Sequence, residues 1–197
     1  LVHSAQTEFT QHFPQVAWVE HDPLEIWHSQ KHTIEQVLRE SHISPQDIVA
    51  LGITNQRETC IVWNRKTGEP IYPAIVWQDR RTAEYCQSLR EQGHSDLIRK
   101  TTGLVIDPYF SASKLRWILD HVPDARQQAD RGELAFGTVD TWLAYQLSDK
   151  QLHVSDVSNA SRTMLWNIHR NCWDTELLAL FDIPESVLPT VHPSSFI

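Results

Sequence analysis

Arg57 and Glu58 stand side by side in the stretch Thr54-Asn55-Gln56-Arg57-Glu58-Thr59, just after the apolar run Ile48-Val49-Ala50-Leu51-Gly52-Ile53. Charged groups are rarely carried to the edge of a core unless they are paired or bind something. Chemically the pair suits a small neutral polyol, because a carboxylate accepts hydrogen bonds from hydroxyls and a guanidinium donates to their oxygens. A local ion pair closing a strand, or two side chains splayed to opposite faces, fits the same residues. Two aromatic residues stand in comparable places. Trp77, in Trp77-Gln78-Asp79-Arg80-Arg81-Thr82, falls where a strand gives way to a helix, and ligands collect at such strand ends in α/β sheets. Its face suits the C–H side of a polyol. Tyr109, after Asp107-Pro108, offers a second aromatic plane with a hydroxyl. Core packing is the competing assignment for both rings.

The other polar residues point less clearly to chemistry. Arg80-Arg81 suits a phosphate, and suits ion pairing with Asp79 and Glu84 equally well. His21 beside Asp22 reads as a helix-start neighbour. His153 near Asp156 reads as part of a surface strand ahead of an acid/base pair. Cys60 and Cys86 have no obvious basic neighbour, and inert buried thiols are expected. Neither G-x-G-x-x-G nor G-x-x-x-x-G-K-[ST] occurs, and no His/Glu or Cys/His spacing fits a metal site.

The elements that must position these residues are legible from periodicity and punctuation. Residues 4–13 alternate weakly and read as an edge strand broken by Pro14. Asp22-Pro23-Leu24-Glu25 starts a helix, with Asp22 as cap and Glu25 reaching back; Leu24, Trp27, Ile34, Val37 and Leu38 form its inner face. Ser44-Pro45-Gln46-Asp47 repeats that signal in miniature. The unbroken run to Ile53 predicts a strand covered on both faces. Cys60–Trp63 and Ala74–Trp77 are further strands, with turn residues at 64–68 between them. Helices are expected at 82–92 with Gly93 left-handed beyond it, at 95–100 closed near Gly103, at 111–121 and at 123–131 ended by Gly132. The segment 104–108 is extended, since residues before proline avoid the helical region. A strand follows at 133–138, a helix at 139–147 with Trp142, Leu143 and Leu147 inward, strands at 151–157 and 162–166, and a helix at 175–181. Helix alternating with strand means one α/β domain with helical additions.

Composition bounds the function. The 197 residues suffice for one substantial core, or a domain plus part of another. A formal net charge of −8 argues against nucleic acid as the main partner, and the 11 His lessen that charge as pH falls. Eight Trp suit pockets and interfaces as well as cores. The three Cys (Cys60, Cys86, Cys172) make no disulfide framework, and a reducing cytoplasm is expected. No segment has the apolar length of a membrane span, and no secretory leader is visible. The opening Leu1-Val2-His3 reads as mid-strand and the ending Ser194-Ser195-Phe196-Ile197 as unclosed, so a piece of a longer protein is expected.

Longer motifs carry more. Trp18-Val19-Glu20-His21-Asp22-Pro23 through Ile26-Trp27, Gly52–Thr59, Ile75-Val76-Trp77-Gln78, Arg80-Arg81-Thr82, Thr102–Phe110, Phe136–Leu143 and Asn159–Thr163 follow one another in order. Tyr109 to His121 (YFSASKLRWILDH) has Lys114 and Trp117 at fixed points of a family signature. In these stretches the chain resembles the FGGY family of carbohydrate kinases, and its Asn-Gln-Arg-Glu-Thr run resembles the branch that acts on glycerol. The resemblance implies an α/β, actin-like ATPase or ribonuclease-H-like lobe with helical insertions, incomplete at both ends. Residues 1–197 would be the N-terminal, substrate-binding lobe of a carbohydrate kinase, without its first strands and without the C-terminal ATP lobe. It further implies ATP-dependent phosphorylation of glycerol to glycerol 3-phosphate, with Mg2+ as cofactor, in a cytoplasmic protein that forms homo-oligomers. Carried over by motif, Arg57 and Glu58 would hold the glycerol hydroxyls while Trp77 and Tyr109 shape the pocket. The family's phosphate and magnesium loop, Asp-x-Gly-Thr-Thr, and its Gly-x-x-Gly-Asp-Gln segment bearing the general-base Asp are absent from the chain. No catalytic residue and no metal ligand is therefore assigned within it, and the segment alone is expected to be inactive, with an unpaired sheet edge at its N-terminal end. A family relative acting on another polyol or sugar, or a non-catalytic polyol-binding module, are the alternatives.

Overall fold

The structure, a computed structural model, describes residues 2–195; Leu1, Phe196 and Ile197, on which the readings of a mid-strand opening and an unclosed end partly rest, lie outside the described residues. In chain order the elements are β1 (Glu20–His21), α1 (Pro23–Ser41), β2 (Ile61–Asn64), β3 (Ala74–Ile75), α2 (Ala83–Glu91), α3 (Ser95–Thr102), α4 (Ser111–His121), α5 (Ala125–Asp130), β4 (Leu134–Gly137), α6 (Val139–Leu147), β5 (Val154–Asp156), α7 (Val157–Ala160), β6 (Trp166–Asn167), β7 (Cys172–Trp173), α8 (Thr175–Phe181) and β8 (Thr190–His192). Short 3-10 turns lie at Pro45–Asp47 and Glu185–Val187.

The centre is the antiparallel pair β2–β4, in register from Ile61 opposite Gly137 to Asn64 opposite Leu134. Successive strand side chains point to opposite faces, and both faces are covered. Cys60, Val62, Leu134 and Phe136 enter one core with α4, α5 and α8 residues such as Leu115, Ile118, Ala129 and Leu177. Ile61, Trp63 and Ala135 enter a second core with Ile26 of α1 and Val139, Trp142 and Tyr145 of α6. The layering is helix, ribbon, helix, as an unbroken apolar strand requires. A bridge between Cys60 and Ile75 (N···O 2.9 and 3.0 Å) carries hydrogen bonding on to the β1–β3 pair. Separately, β5 pairs in parallel with β8, and β6 pairs with β7 antiparallel.

Several helices form where the sequence places them. α4 spans Ser111–His121 with Leu115, Ile118 and Leu119 buried. Gly93, Gly103 and Gly132 all have positive φ (87, 74 and 71°) just beyond helices, the left-handed stop that glycine adopts without strain. α1 starts on Asp22, whose Oδ1 accepts from Leu24 N at 2.8 Å.

Other expectations are corrected. Residues 4–13 form no strand: the one bridge there joins His12 to Glu20, and Glu25 does not reach back to the cap but accepts from Thr10 N and Oγ1, both at 2.9 Å. Ile48–Ile53 is not a buried strand. Val49 is fully exposed and Leu51 is 56% exposed, and the run has no ladder partner among the described residues. An apolar run asks for cover but does not specify what supplies it, and the doubly covered strand is β2 instead. Leu147, expected inward, is exposed at the end of α6, while in α1 Leu24 and Trp27 pack against the second core half-buried and Ile26, not singled out in the sequence, lies deeper. Ser161–Met164 is a turn, with Met164 at φ 63°, so the predicted strand there shrinks to Trp166–Asn167.

His153 is not a partner of Asp156. Its ring lies edge-on to Trp63 at 5.4 Å between centroids, with Nε2 2.8 Å from Phe136 O and Nδ1 3.0 Å from Arg65 Nη1. These partners fit a neutral imidazole that donates from Nε2 and accepts at Nδ1, and burial pushes its pKa down to about 4. The unfolded chain protonates near the ordinary value of about 6.5. Between those values the unfolded state binds more protons, so stability falls as pH drops from about 6.5 towards 4, by at most about 3 kcal/mol. His153→Gln should flatten that limb of the pH–stability curve measured by urea unfolding; an unchanged slope contradicts the assignment. Gly137 offers a second check, because a Cβ there would lie 2.4 Å from Thr141 Cβ and 3.1 Å from Trp63 Cη2. Gly137→Ala should lower stability by about 1–3 kcal/mol, and wild-type stability would contradict the packing.

Candidate functional site

The Cys60–Ile75 bridge also sets the site. Glu58 lies two residues before Cys60 and Trp77 two residues after Ile75, each in the turn that leaves this bridge. Glu58 is 2% exposed and sits at φ 63°. A non-glycine residue held left-handed stores on the order of 1 kcal/mol or more and persists only where its surroundings fix it. Here Ser111 Oγ donates to Glu58 O at 3.2 Å, and Arg162 Nε donates to Glu58 Oε1 at 2.7 Å. Arg57 is exposed and holds no ion pair among the described residues.

Trp77 is 37% exposed and Tyr109 half-buried, with ring centroids 5.5 Å apart at 57°. Two devices hold them. Asp107 Oδ1 accepts from Tyr109 N at 2.9 Å and from Arg80 Nη1 at 2.7 Å, tying the segment after Trp77 to the loop carrying Tyr109. Lys114 is fully buried, and its Nζ donates to Pro108 O, Tyr109 O and Phe110 O at 2.7, 2.6 and 2.9 Å. Burial pushes its pKa down to about 8. Arg81 does not offer itself to phosphate. Its guanidinium is sealed in, with Nη2 on Glu20 Oε1 (2.7 Å) and Asp79 Oδ2 (2.8 Å), Nε on Asp79 Oδ1 (2.9 Å), and Trp18 stacked 3.7 Å from Cζ. That cage fixes the turn between Trp77 and α2, so the ion-pairing alternative holds for both arginines, with Asp107 and Glu20 as partners in place of Glu84.

Asn55 anchors the other end of the loop. Its Nδ2 donates to Thr138 Oγ1 (3.0 Å) and Asn159 Oδ1 (2.9 Å), and its Oδ1 accepts from Asp140 N (2.9 Å). Asp140 is itself bonded by Thr138 Oγ1, Ser155 Oγ and Asn159 Nδ2, and burial pushes its pKa up.

Trp77 and Tyr109 thus pack together, Arg162 joins Glu58 to Tyr109, lying 5.8 Å from that ring's centroid, and the exposed Arg57 precedes Glu58 in the same loop. Arg162 is the member that sequence reasoning left without a role. It sits in the Asn159–Thr163 motif, but 104 residues separate it from Glu58 and no local pattern links them. A hollow of about 520 Å³, lined by His12, Glu20, Asp22 and Tyr72 among others, contains none of these residues. Two of its three carboxylates are already committed, Glu20 to Arg81 and Asp22 to the start of α1.

Residues 1–197 match the FGGY family of carbohydrate kinases, N-terminal domain, and the chain belongs to that family. It is 63% identical over 195 residues to the glycerol kinase of Ralstonia pickettii (strain 12J), covering 99% of this chain and 39% of that protein. It is 61% identical over 193 residues to the glycerol kinase of Rhodopirellula baltica, covering 98% of this chain and 36% of that protein. Among solved structures, the Plasmodium falciparum glycerol kinase with ADP superposes with a TM-score of 0.88 at 37% identity, covering 97% of this chain and 38% of that one. A xylulose kinase from Lactobacillus acidophilus shares the fold at a TM-score of 0.82 and 22% identity, over 94% of this chain and 36% of that one. The actin-like α/β fold class expected from the motifs is borne out. The chain spans about two fifths of the length of the curated relatives it matches.

Lys114→Met removes a donor from three carbonyls at once. Each buried acceptor left unpaired costs about 1–3 kcal/mol, so the midpoint of urea unfolding should fall clearly, with loss of near-ultraviolet aromatic dichroism from the Tyr109 loop. A variant as stable as wild type contradicts the anchoring role.

Proposed function

We propose that the protein carrying this chain transfers the terminal phosphoryl group of ATP to a primary hydroxyl of glycerol, giving glycerol 3-phosphate, and that this chain is the larger part of its substrate-binding lobe. The observation that carries the proposal is Glu58: a buried carboxylate on a left-handed residue, joined through Arg162 to the Tyr109 ring, which in turn packs against Trp77. The high identity to proteins named glycerol kinase supports the choice of substrate.

Each residue has a role that follows from its chemistry. Glu58 accepts hydrogen bonds from glycerol hydroxyls, and Arg57 donates to their oxygens. Trp77 and Tyr109 cover the C–H edge and exclude water, which strengthens the polar contacts inside. Holding the triol in one orientation puts one primary hydroxyl towards the incoming phosphoryl group, and phosphoryl transfer depends mainly on such positioning plus charge stabilisation.

Among the described residues no three His, Cys, Asp or Glu side chains converge as they would on a metal ion. Magnesium, when bound, neutralises the charge on the transferring phosphates and is held largely by them and one or two carboxylates. We assign its ligands, the general base and the ATP site to the rest of the protein. Among the described residues the cysteines are all free thiols, which suits the proposed cytoplasmic location; no helix is long and apolar enough to cross a membrane. Self-association into a homo-oligomer belongs to the same reading.

The test is ADP release by the full-length protein with glycerol, xylulose and gluconate. Turnover on glycerol and little on the others is expected, and Glu58→Gln should lower kcat/KM for glycerol by about 100-fold or more, the scale of losing a charged hydrogen bond at a buried site. Preference for xylulose or gluconate would make it a family relative with another substrate. No turnover on any of the three by a folded protein would leave a binding module.

A further inference from the structure

Arg162 and Asn159 stand three residues apart, and so do their partners Glu58 and Asn55. Asn159 Oδ1 accepts from Asn55 Nδ2 at 2.9 Å, and Arg162 Nε donates to Glu58 Oε1 at 2.7 Å. The segment 159–162 therefore grips the loop 55–58 at both ends. The grip is itself anchored. Asp156 Oδ1 accepts from Asn159 N at 2.7 Å, Arg162 N donates to Asn159 O at 3.0 Å, and the next residue's carbonyl, Thr163 O, accepts from Ala112 N at the start of α4 at 2.8 Å. Ser111, its neighbour there, is the residue that bonds Glu58 O.

The ion pair is asymmetric. The Glu58 side chain is 2% exposed and that of Arg162 30%, so one charge is sealed and its partner reaches it from the open side. The guanidinium is supported from behind by aromatic rings, with Cζ 4.9 Å from the Phe110 centroid and 5.8 Å from that of Tyr109. A planar guanidinium stacks on rings while one N–H points at a carboxylate, which the compact ammonium of lysine cannot imitate. With Oε1 engaged, Oε2 of Glu58 is the oxygen left to accept from a hydroxyl.

We propose that Arg162 is a positioning residue for substrate binding: it holds the Glu58 carboxylate in one rotamer, with Oε2 turned to the polyol, while Asn159 fixes the other end of the same loop. This rests on the reading of Glu58 as a glycerol ligand. A free carboxylate in that strained loop would sample other rotamers, and the substrate would have to select one of them on binding. Removal of Arg162 therefore acts on glycerol affinity and leaves ATP untouched.

The experiment is steady-state kinetics of the full-length protein, varying glycerol at saturating ATP and ATP at saturating glycerol, for wild type, Arg162→Met, Arg162→Lys, Glu58→Gln and the Arg162→Met/Glu58→Gln double variant. Arg162→Met should raise KM for glycerol by about 10- to 100-fold, the usual scale for breaking a buried charge pair, with KM for ATP within about twofold. Arg162→Lys should fall between it and wild type. The double variant should be no worse than Glu58→Gln alone, because the two residues act through one carboxylate. A merely structural arginine would shift both KM values and the melting temperature together and would multiply with Glu58→Gln. That pattern, or an Arg162→Met enzyme with unchanged KM for glycerol, overturns the proposal while leaving glycerol kinase activity in place. Absence of wild-type turnover on glycerol overturns both.

Discussion

The antiparallel ladder between Ile61–Asn64 and Leu134–Gly137 is the constraint on which the rest depends. It is short, yet both of its faces are buried, so each residue along it must suit one of two different cores. Cys60 and Ile75 then extend the hydrogen bonding by a single bridge. Glu58 and Trp77 follow that bridge in the turns at its end, and Tyr109, just ahead of α4, packs against Trp77. The site is thus the place where backbone pairing stops and side chains take over the work of holding the chain.

That work is done largely by charges enclosed in protein. Arg81 is held by Glu20 and Asp79 under Trp18, Lys114 by three carbonyls, and Glu58 by Arg162. Removing charges from water is expensive unless geometry and hydrogen bonding are nearly complete, and in each case the partners are close and several. Such pairs add little net stability over apolar packing of the same volume, but they fix loops that would otherwise have many conformations. Under the proposed function, loop order around Glu58 and Tyr109 serves a small, flexible triol, because an open corner with mobile walls would bind it weakly.

Local chemistry was legible in the sequence, and long-range pairing was not. The boundaries of α4, the cap at Asp22 and the left-handed glycines after α2 and α3 each depend on residues within one turn, and reading them required no knowledge of the fold. The run Ile48–Ile53 was misread because its apolarity says nothing of which element covers it; β2 satisfied the same rule a few residues later. Arg57, Glu58, Trp77 and Tyr109 were singled out as a set through their ordered motifs, since each alone has a plain structural alternative. Arg80 and Arg81 show that alternative winning, and His153 shows a histidine near an aspartate satisfied by quite different partners. Arg162 was invisible as a participant because its pairing with Glu58 exists only after two distant turns have docked on α4.

The most direct measurement of the central claim is a crystal structure of the full-length protein with glycerol bound. The account predicts glycerol oxygens within hydrogen-bond distance of Glu58 and Arg57, carbons against Trp77 and Tyr109, and the Glu58–Arg162 pair intact. Glycerol seated elsewhere, with Glu58 still sealed against Arg162 and touching no ligand, would contradict it and reduce the ion pair to a fastening of the fold.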